Sequence, residues 1–388
     1  MYKILTLNNI SPVGLERLPK ENYTVSDDEQ NPDAILLRSF KMHDMEIPES
    51  LAAVGRAGAG VNNIPVDKMS AAGVPVFNAP GANANAVKEL VVAGMLLACR
   101  SICQAWDYTV KLQEGSDADL AKKVEAGKKK YSGFELPGRT LGVIGLGAIG
   151  VLVANAARQL GMNVVGFDPK ITVQSAWKIA SDIEQANTAD EVFSKADFVT
   201  FHVPLMDATK NMLNAQRIAN MKKGAVVLNF ARGGIVDDAA VLEAINAGKI
   251  HAYITDFPTN ALRGNDRVIT LPHLGASTAE AEENCAMMVA DQVRDYLENG
   301  NIRNSVNFPT VNMPRAGQQR LAVANANRPD MVSQISRVLG EGKVNIEHMT
   351  NESKGDVAYT LIDTDSKLDS TVVEKLQAID GILSVRII

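Results

Sequence analysis

Three glycines and one acid mark the first place where this sequence could do chemistry. Gly145, Gly147 and Gly150 fill the glycine places of GxGxxG. They lie between an apolar run at 141–144 and an Ala/Leu/Val-rich stretch at 149–160, and a second apolar run at 164–167 stops at Asp168. Strand, turn, helix and strand make one βαβ unit. In such a unit the first glycine permits a tight turn, the second lets the backbone approach a pyrophosphate, and the third lets helix and strand pack closely. The helix start, Gly147, Ala148, Ile149 and Gly150, offers free N–H groups and a positive dipole end to phosphate oxygens. Asp168 stands about 20 residues on, where a carboxylate bonds the adenosine ribose. It would repel a 2′-phosphate, and Lys170 is the only nearby cation, so NAD is expected rather than NADP.

Moving a hydride from a 2-hydroxy acid to a nicotinamide needs further groups. A cation must hold the carboxylate, which arginine does in bidentate fashion. A base must take the hydroxyl proton, and histidine is well matched near neutral pH. A carboxylate usually orients that histidine and raises its pKa. Arg232, in Phe230-Ala231-Arg232-Gly233-Gly234, and His273, in Pro272-His273-Leu274-Gly275, both follow apolar runs beyond the βαβ unit. They are the expected pair. His202, in His202-Val203-Pro204, is expected to line the cofactor edge, while His43, His251 and His348 read as structural. Arg38-Ser39 and Arg56-Ala57-Gly58 close two earlier apolar runs. Ligands of open α/β sheets collect at strand carboxyl ends, which makes Arg38 a candidate substrate contact. No HExxH and no paired Cys/His spacing points to a metal.

The elements that must position these groups alternate along most of the chain. Its 388 residues suggest two or three domains, and its formal charge of −6, without a large basic block, gives no sign of a nucleic-acid or membrane partner. The N-terminus reads as a strand rather than a signal peptide, no apolar run is long enough to span a bilayer, and Cys99, Cys103 and Cys285 read as buried free thiols. A cytoplasmic protein is expected. A small α/β domain comes first. A long helix at 83–106, apolar on more than one face, suggests packing between domains or subunits. Repeated βα units after Asp168 predict a Rossmann-type doubly wound parallel sheet. Residues 304–314 read as a linker. From residue 319 the order βαββαβ predicts a ferredoxin-like tail. The expected division is a substrate-binding, flavodoxin-like domain (1–95 with 284–312), a nucleotide-binding domain (96–283) and a tail domain (315–388).

Taken together, VFNAP, LGVIGLGAIG with Asp168, FHVPL, NFARGGIVD and LPHLGAST resemble the D-isomer-specific 2-hydroxyacid dehydrogenases over about the first 310 residues. The tail resembles an ACT domain. The resemblance implies oxidation of 3-phospho-D-glycerate to 3-phosphohydroxypyruvate. A reductase of hydroxypyruvate, glyoxylate or 2-oxoglutarate is the alternative within the family, and an NAD-sensing binding protein is the alternative outside enzymes. By the family's pattern Arg232 holds the substrate carboxylate and His273 is the general acid/base. Arg38, Ser39, Gly58 and Asn83 match substrate contacts, with Arg38 at the phosphate. His202, Val203, Pro204, Phe230, Ala231, Asp256 and Gly275 fall along the cofactor. The resemblance also implies a homodimer through the Rossmann domain, with a tetramer through the tail left open.

Two departures stand out. Asn260 falls where the family has the glutamate paired to the histidine, so either Asp256 supplies the carboxylate or His273 titrates lower than usual. Asp330 replaces a common glycine in Asn327-Arg328-Pro329-Asp330. Related domains bind L-serine near this loop, and Asn325 and Asn327 are the candidate effector residues.

Overall fold

A computed structural model describes residues 1–113 and 115–388. It divides the chain into two compact units, residues 84–278 and residues 1–83 with 279–388.

The first unit opens with β1 (Tyr2–Leu7), β2 (Tyr23–Ser26), β3 (Ala34–Leu37), β4 (Ala53–Arg56) and β5 (Val76–Phe77), parallel in the order β2-β1-β3-β4-β5. This is the flavodoxin-like order, which reverses direction between β1 and β3. All four residues of β3 are fully buried, as expected of a parallel strand covered on both faces. Arg38 follows directly. Helix Ala279–Asn299 lies on this sheet because β4 carries Gly55, where a Cβ would come within 2.7 Å of Val289 and 2.9 Å of Val293.

The second unit contains β6 (Thr140–Ile144), β7 (Asn163–Phe167), β8 (Glu184–Gln185), β9 (Phe198–Phe201), β10 (Ala225–Asn229), β11 (Ile250–Thr255) and β12 (Val268–Thr270). Their order is β12-β11-β10-β9-β6-β7-β8, the doubly wound plan with its switch point between β6 and β9. Because every pairing is parallel, the residues after each strand share one edge of the sheet. The long helix expected at 83–106 is two helices, Ala84–Arg100 and Ile102–Val110, broken at Ser101, whose φ is 49°. The Phe134 N–H bonds the Cys99 carbonyl at 3.0 Å, and a Cβ on Gly133 would overlap that same oxygen. The returning chain therefore closes the first helix.

The tail consists of β13 (Gln319–Ala326), helix Met331–Glu341, β14 (Ile346–Lys354), β15 (Val357–Thr364), helix Ser370–Gln377 and β16 (Ile382–Ile387). This is the βαββαβ order, forming an antiparallel sheet β14-β15-β13-β16. One face packs Leu321, Val323 and Ile362 against Ile335, Leu339 and Leu376 of its own helices. The other packs Ala322, Ala324, Tyr359 and Leu361 into the core that holds Phe77, Tyr296 and Phe308. The stretch read as a linker is itself packed: Phe308 and Val311 are 1% exposed.

Candidate active site

The glycine turn of the second unit does what its sequence requires. Gly145 has a φ of 93°, and a Cβ there would meet the His202 carbonyl oxygen at 2.6 Å. A Cβ on Gly150 would overlap the Gly145 carbonyl oxygen. Gly147 differs, because its Cβ would meet nothing within 4 Å. Packing explains the first and third glycines, whereas the second has open space beside its backbone, where a group from outside the chain could approach. Gly147 also caps helix Ala148–Gln159 without any side-chain bond, leaving the first N–H groups of that helix free for phosphate. Asp168 accepts the Leu146 N–H on one oxygen and the Lys170 N–H on the other, each at 2.8 Å. The glycine turn and the carboxylate thus hold one another in place.

His202, just past β9, lies 3.0 Å from the Thr200 hydroxyl through Nε2, while its sequestered Nδ1 has no partner among the described residues. Burial pushes this imidazole down to about 3, so it stays neutral and is unsuited to carry a proton near neutral pH. Val203 packs at the same turn, close to where a Gly145 Cβ would fall. Pro204 follows, exposed.

The next three strand ends bring Arg232, Asp256 and His273 together. Asp256 follows β11 and is 1% exposed, yet neither carboxylate oxygen has a hydrogen-bond partner among the described residues. Burial raises this carboxyl above the ordinary carboxylate range, and the charges of His273 and Arg232 pull against that rise. Gly275 stands on the same side, where a Cβ would lie 3.6 Å from Asp256 Oδ2. Arg232 and His273 are exposed. Phe257 lies beside His273, with ring centroids 4.9 Å apart. Arg232 follows the buried Phe230 and Ala231, and its Nη1 donates to the Ala231 carbonyl at 2.7 Å. Asn260 does not join this group. It is exposed and begins the 3₁₀ turn Asn260–Leu262, and no hydrogen bond ties it to His273 among the described residues. The preceding Thr259 hydroxyl instead donates to Asp238 at 3.0 Å.

In the first unit, Arg38 and Ser39 follow β3, and Arg56 ends β4. Arg38 pairs with Glu282 at 2.7 Å, with the two side chains 37% and 42% exposed. Arg56 donates through Nε to the Arg38 carbonyl at 3.0 Å. Gly58 has a φ of 154°, a backbone conformation that residues with side chains rarely adopt, and a Cβ there would also press on the movable Arg56 guanidinium. Asn83 precedes helix Ala84–Arg100. No cluster of three or more metal-ligating side chains occurs among the described residues.

The family model of the D-isomer specific 2-hydroxyacid dehydrogenase, NAD binding domain, matches residues 92–275. D-3-phosphoglycerate dehydrogenase of Haemophilus influenzae is 34% identical over 89% of this chain and 83% of its own length. The Escherichia coli K12 enzyme of that name is 31% identical over 100% of this chain and 97% of its own. This chain belongs to the D-isomer-specific 2-hydroxyacid dehydrogenases. Within that family it stands with the D-3-phosphoglycerate dehydrogenases. It spans only 55% of the Methanocaldococcus jannaschii relative, to which it is 38% identical. Among solved structures, NAD⁺-bound 3-phosphoglycerate dehydrogenase of Entamoeba histolytica is 25% identical, with a TM-score of 0.61 over 79% of this chain and 98% of that one. The dehydrogenase's glycine turn, free helix start and anchored Asp168 fit NAD.

Three residues at the dehydrogenase site escape a reading for reactive groups. Thr200 interrupts the apolar run of β9, and Asn229 ends the apolar run of β10, both buried. A polar residue inside such a run is the signal that could have found both. Phe257 gives no such signal, because an aromatic residue beside a strand reads as core.

Proposed function

We propose that this chain oxidises 3-phospho-D-glycerate to 3-phosphohydroxypyruvate with NAD, the opening step of serine synthesis. The observation that carries this is Asp256, a buried and unpartnered carboxylate near both an exposed guanidinium and an exposed imidazole. Arg232 holds the substrate carboxylate as a two-pronged donor. His273 takes the proton of the 2-hydroxyl as the hydride leaves the same carbon. Asp256 stabilises the imidazolium that results, replacing the glutamate absent at Asn260. Bound NAD supplies the hydride acceptor. Gly147, Ala148, Ile149 and Gly150 would hold its pyrophosphate, Asp168 its ribose, and Ala231 and Asp256 would lie at the nicotinamide side.

Arg38 takes the substrate phosphate, with Ser39, Gly58 and Asn83 completing the substrate contacts. Its pair with Glu282 is solvent-exposed and worth at most about 1 kcal/mol, so a phosphate dianion displaces Glu282. A panel of 2-hydroxy acids followed by NADH absorbance tests the activity. The expected result is turnover of 3-phosphoglycerate well above D-glycerate. Equal rates, or reduction of glyoxylate and plain hydroxypyruvate in preference, would assign a reductase instead.

The same proposal includes assembly and regulation. Ile102, Trp106 and Val110 recur every fourth residue along one helix face and are 44%, 67% and 62% exposed. Such a stripe suits a homodimer through the Rossmann domain. The tail is taken as ACT-like. Asn325 Oδ1 is buried without a partner among the described residues, and Asn327 donates to the Gly355 carbonyl at 2.9 Å. Asp330 keeps a left-handed backbone, with φ at 70°. L-serine acting at this loop is tested by titrating activity with serine. Three free thiols suit the reducing cytoplasm.

A further inference from the structure

Asn229 is the last residue of β10 and is 1% exposed. A buried side-chain amide destabilises a fold unless its polar atoms are bonded. Here both are bonded, and both to the loop that carries Arg232. Nδ2 donates to the Arg232 carbonyl at 2.9 Å, and Oδ1 accepts the Ala231 N–H at 3.2 Å. One side chain therefore fixes the peptide groups on both sides of the Ala231–Arg232 bond. The Arg232 guanidinium folds back onto the Ala231 carbonyl at 2.7 Å, so it takes its bearing from the peptide that lies between the two Asn229 bonds. The strand supplies the rigid base: Asn229 pairs in register with Phe201 of β9 and Thr255 of β11, and Asp256 comes next.

We infer that Asn229 is a positioning residue: it brackets the Ala231–Arg232 peptide by holding the peptide groups on either side, so that the guanidinium meets a substrate carboxylate in two-pronged geometry. This rests on the proposed role of Arg232 as carboxylate anchor. The residue type is specific, because the clamp needs one donor and one acceptor on a short arm. Aspartate has the same shape and keeps the acceptor, but turns a carboxylate oxygen on the Arg232 carbonyl.

The test is a double-mutant cycle read by calorimetric binding of oxalate to the NADH-loaded protein, with Asn229→Asp, Asn229→Ala, Arg232→Ala and the Asn229→Asp/Arg232→Ala pair. Either Asn229 change should weaken oxalate about tenfold while leaving NADH affinity within about twofold, as expected of a group acting on the substrate side alone. In the Arg232→Ala background, Asn229→Asp should have less than about a twofold further effect, because residues acting through one another are not additive. A full additional tenfold loss would make Asn229 a general support of the fold and overturn the proposal. So would unchanged oxalate affinity in Asn229→Asp, or wild-type protein that fails to bind oxalate. Thermal melts identify an unfolded Asn229→Ala, and the isosteric Asn229→Asp then decides. Turnover of 3-phosphoglycerate by wild type is measured separately. Its absence alongside an intact oxalate cycle would overturn the assigned substrate and leave the clamp standing.

Discussion

In the proposed reaction Asp256 carries a charge where burial opposes one. The native carboxyl binds its proton more tightly than the unfolded chain does, since burial raises its pKa. Stability therefore falls as pH rises from the ordinary carboxylate range through the higher native value. Asp256→Asn removes this penalty. The variant should melt above wild type near neutral pH and level with it well below the ordinary carboxylate range. Its kcat should fall on the order of 10²-fold, the scale of a lost general acid–base contribution. Melts at the two pH values, set beside NADH formation, check both halves; a variant melting lower at neutral pH would show the charge to be stabilised in place. The same geometry bears on Asn260. That side chain is exposed and not bonded to His273, so Asn260→Glu should leave the acidic limb of the pH–rate profile where wild type has it. A displaced limb would mean that position 260 reaches the imidazole during turnover and that Asp256 is not sufficient.

At the scale of elements, the glycine turn separates folding from binding. Gly150 has no room for a methyl group against the Gly145 carbonyl, so Gly150→Ala should cost about 3 kcal/mol or more. Gly147 has open space and a φ of −75°, so Gly147→Ala should stay within about 1 kcal/mol of wild type. Its NAD affinity should nevertheless fall about tenfold or more, because the methyl group occupies the path of the pyrophosphate. Denaturant curves and NAD titrations on the pair separate the two roles, and a Gly147→Ala protein that binds NAD normally would move the pyrophosphate elsewhere. The turn was legible in the sequence because its constraints are local: three glycines, a following helix and an acid at fixed spacing. Arg232 and His273 were legible as candidates because each lies just past the end of a strand, and parallel pairing sends all such residues to one edge. The break at Ser101 was not legible, since the cause is Gly133 and Phe134, distant in sequence, closing on the Cys99 carbonyl. Nor was the clamp at Asn229, whose two bonds depend on a loop path that no periodicity encodes.

At the scale of the molecule, the tail is built into the first unit. The carbonyls at the end of helix Ala279–Asn299 show why. Arg386 donates to those of Tyr296 and Leu297, Arg315 to Glu298, Arg320 to Asn299, and the Tyr359 hydroxyl to Gly300. Three guanidiniums thus gather at the negative end of a helix dipole, and Arg386 also lies over the Tyr296 ring at 4.5 Å. Arg320 is fully buried. It bonds both Asp363 oxygens, at 2.6 and 2.8 Å, and the carbonyls of Met313 and Pro314, at 2.9 Å each. The sequence hid this, because the mostly apolar strand β15 reads the same whether its second face meets this chain or another. Breaking such a pair strands an unpaired buried charge at a cost of about 3–5 kcal/mol, whereas replacing both partners with apolar residues of similar volume costs much less. Arg320→Met and Asp363→Leu should therefore each lower the melting of the first unit sharply, and the double variant should recover most of the loss. Truncation after Pro314 should go further, exposing Tyr296 and Phe308 and leaving the first unit unable to fold, with residues 84–278 still able to bind NAD. Calorimetry of the variants and NAD titration of the truncated chain measure these outcomes; a truncated chain whose first unit melts as in wild type would make the tail an independent appendage.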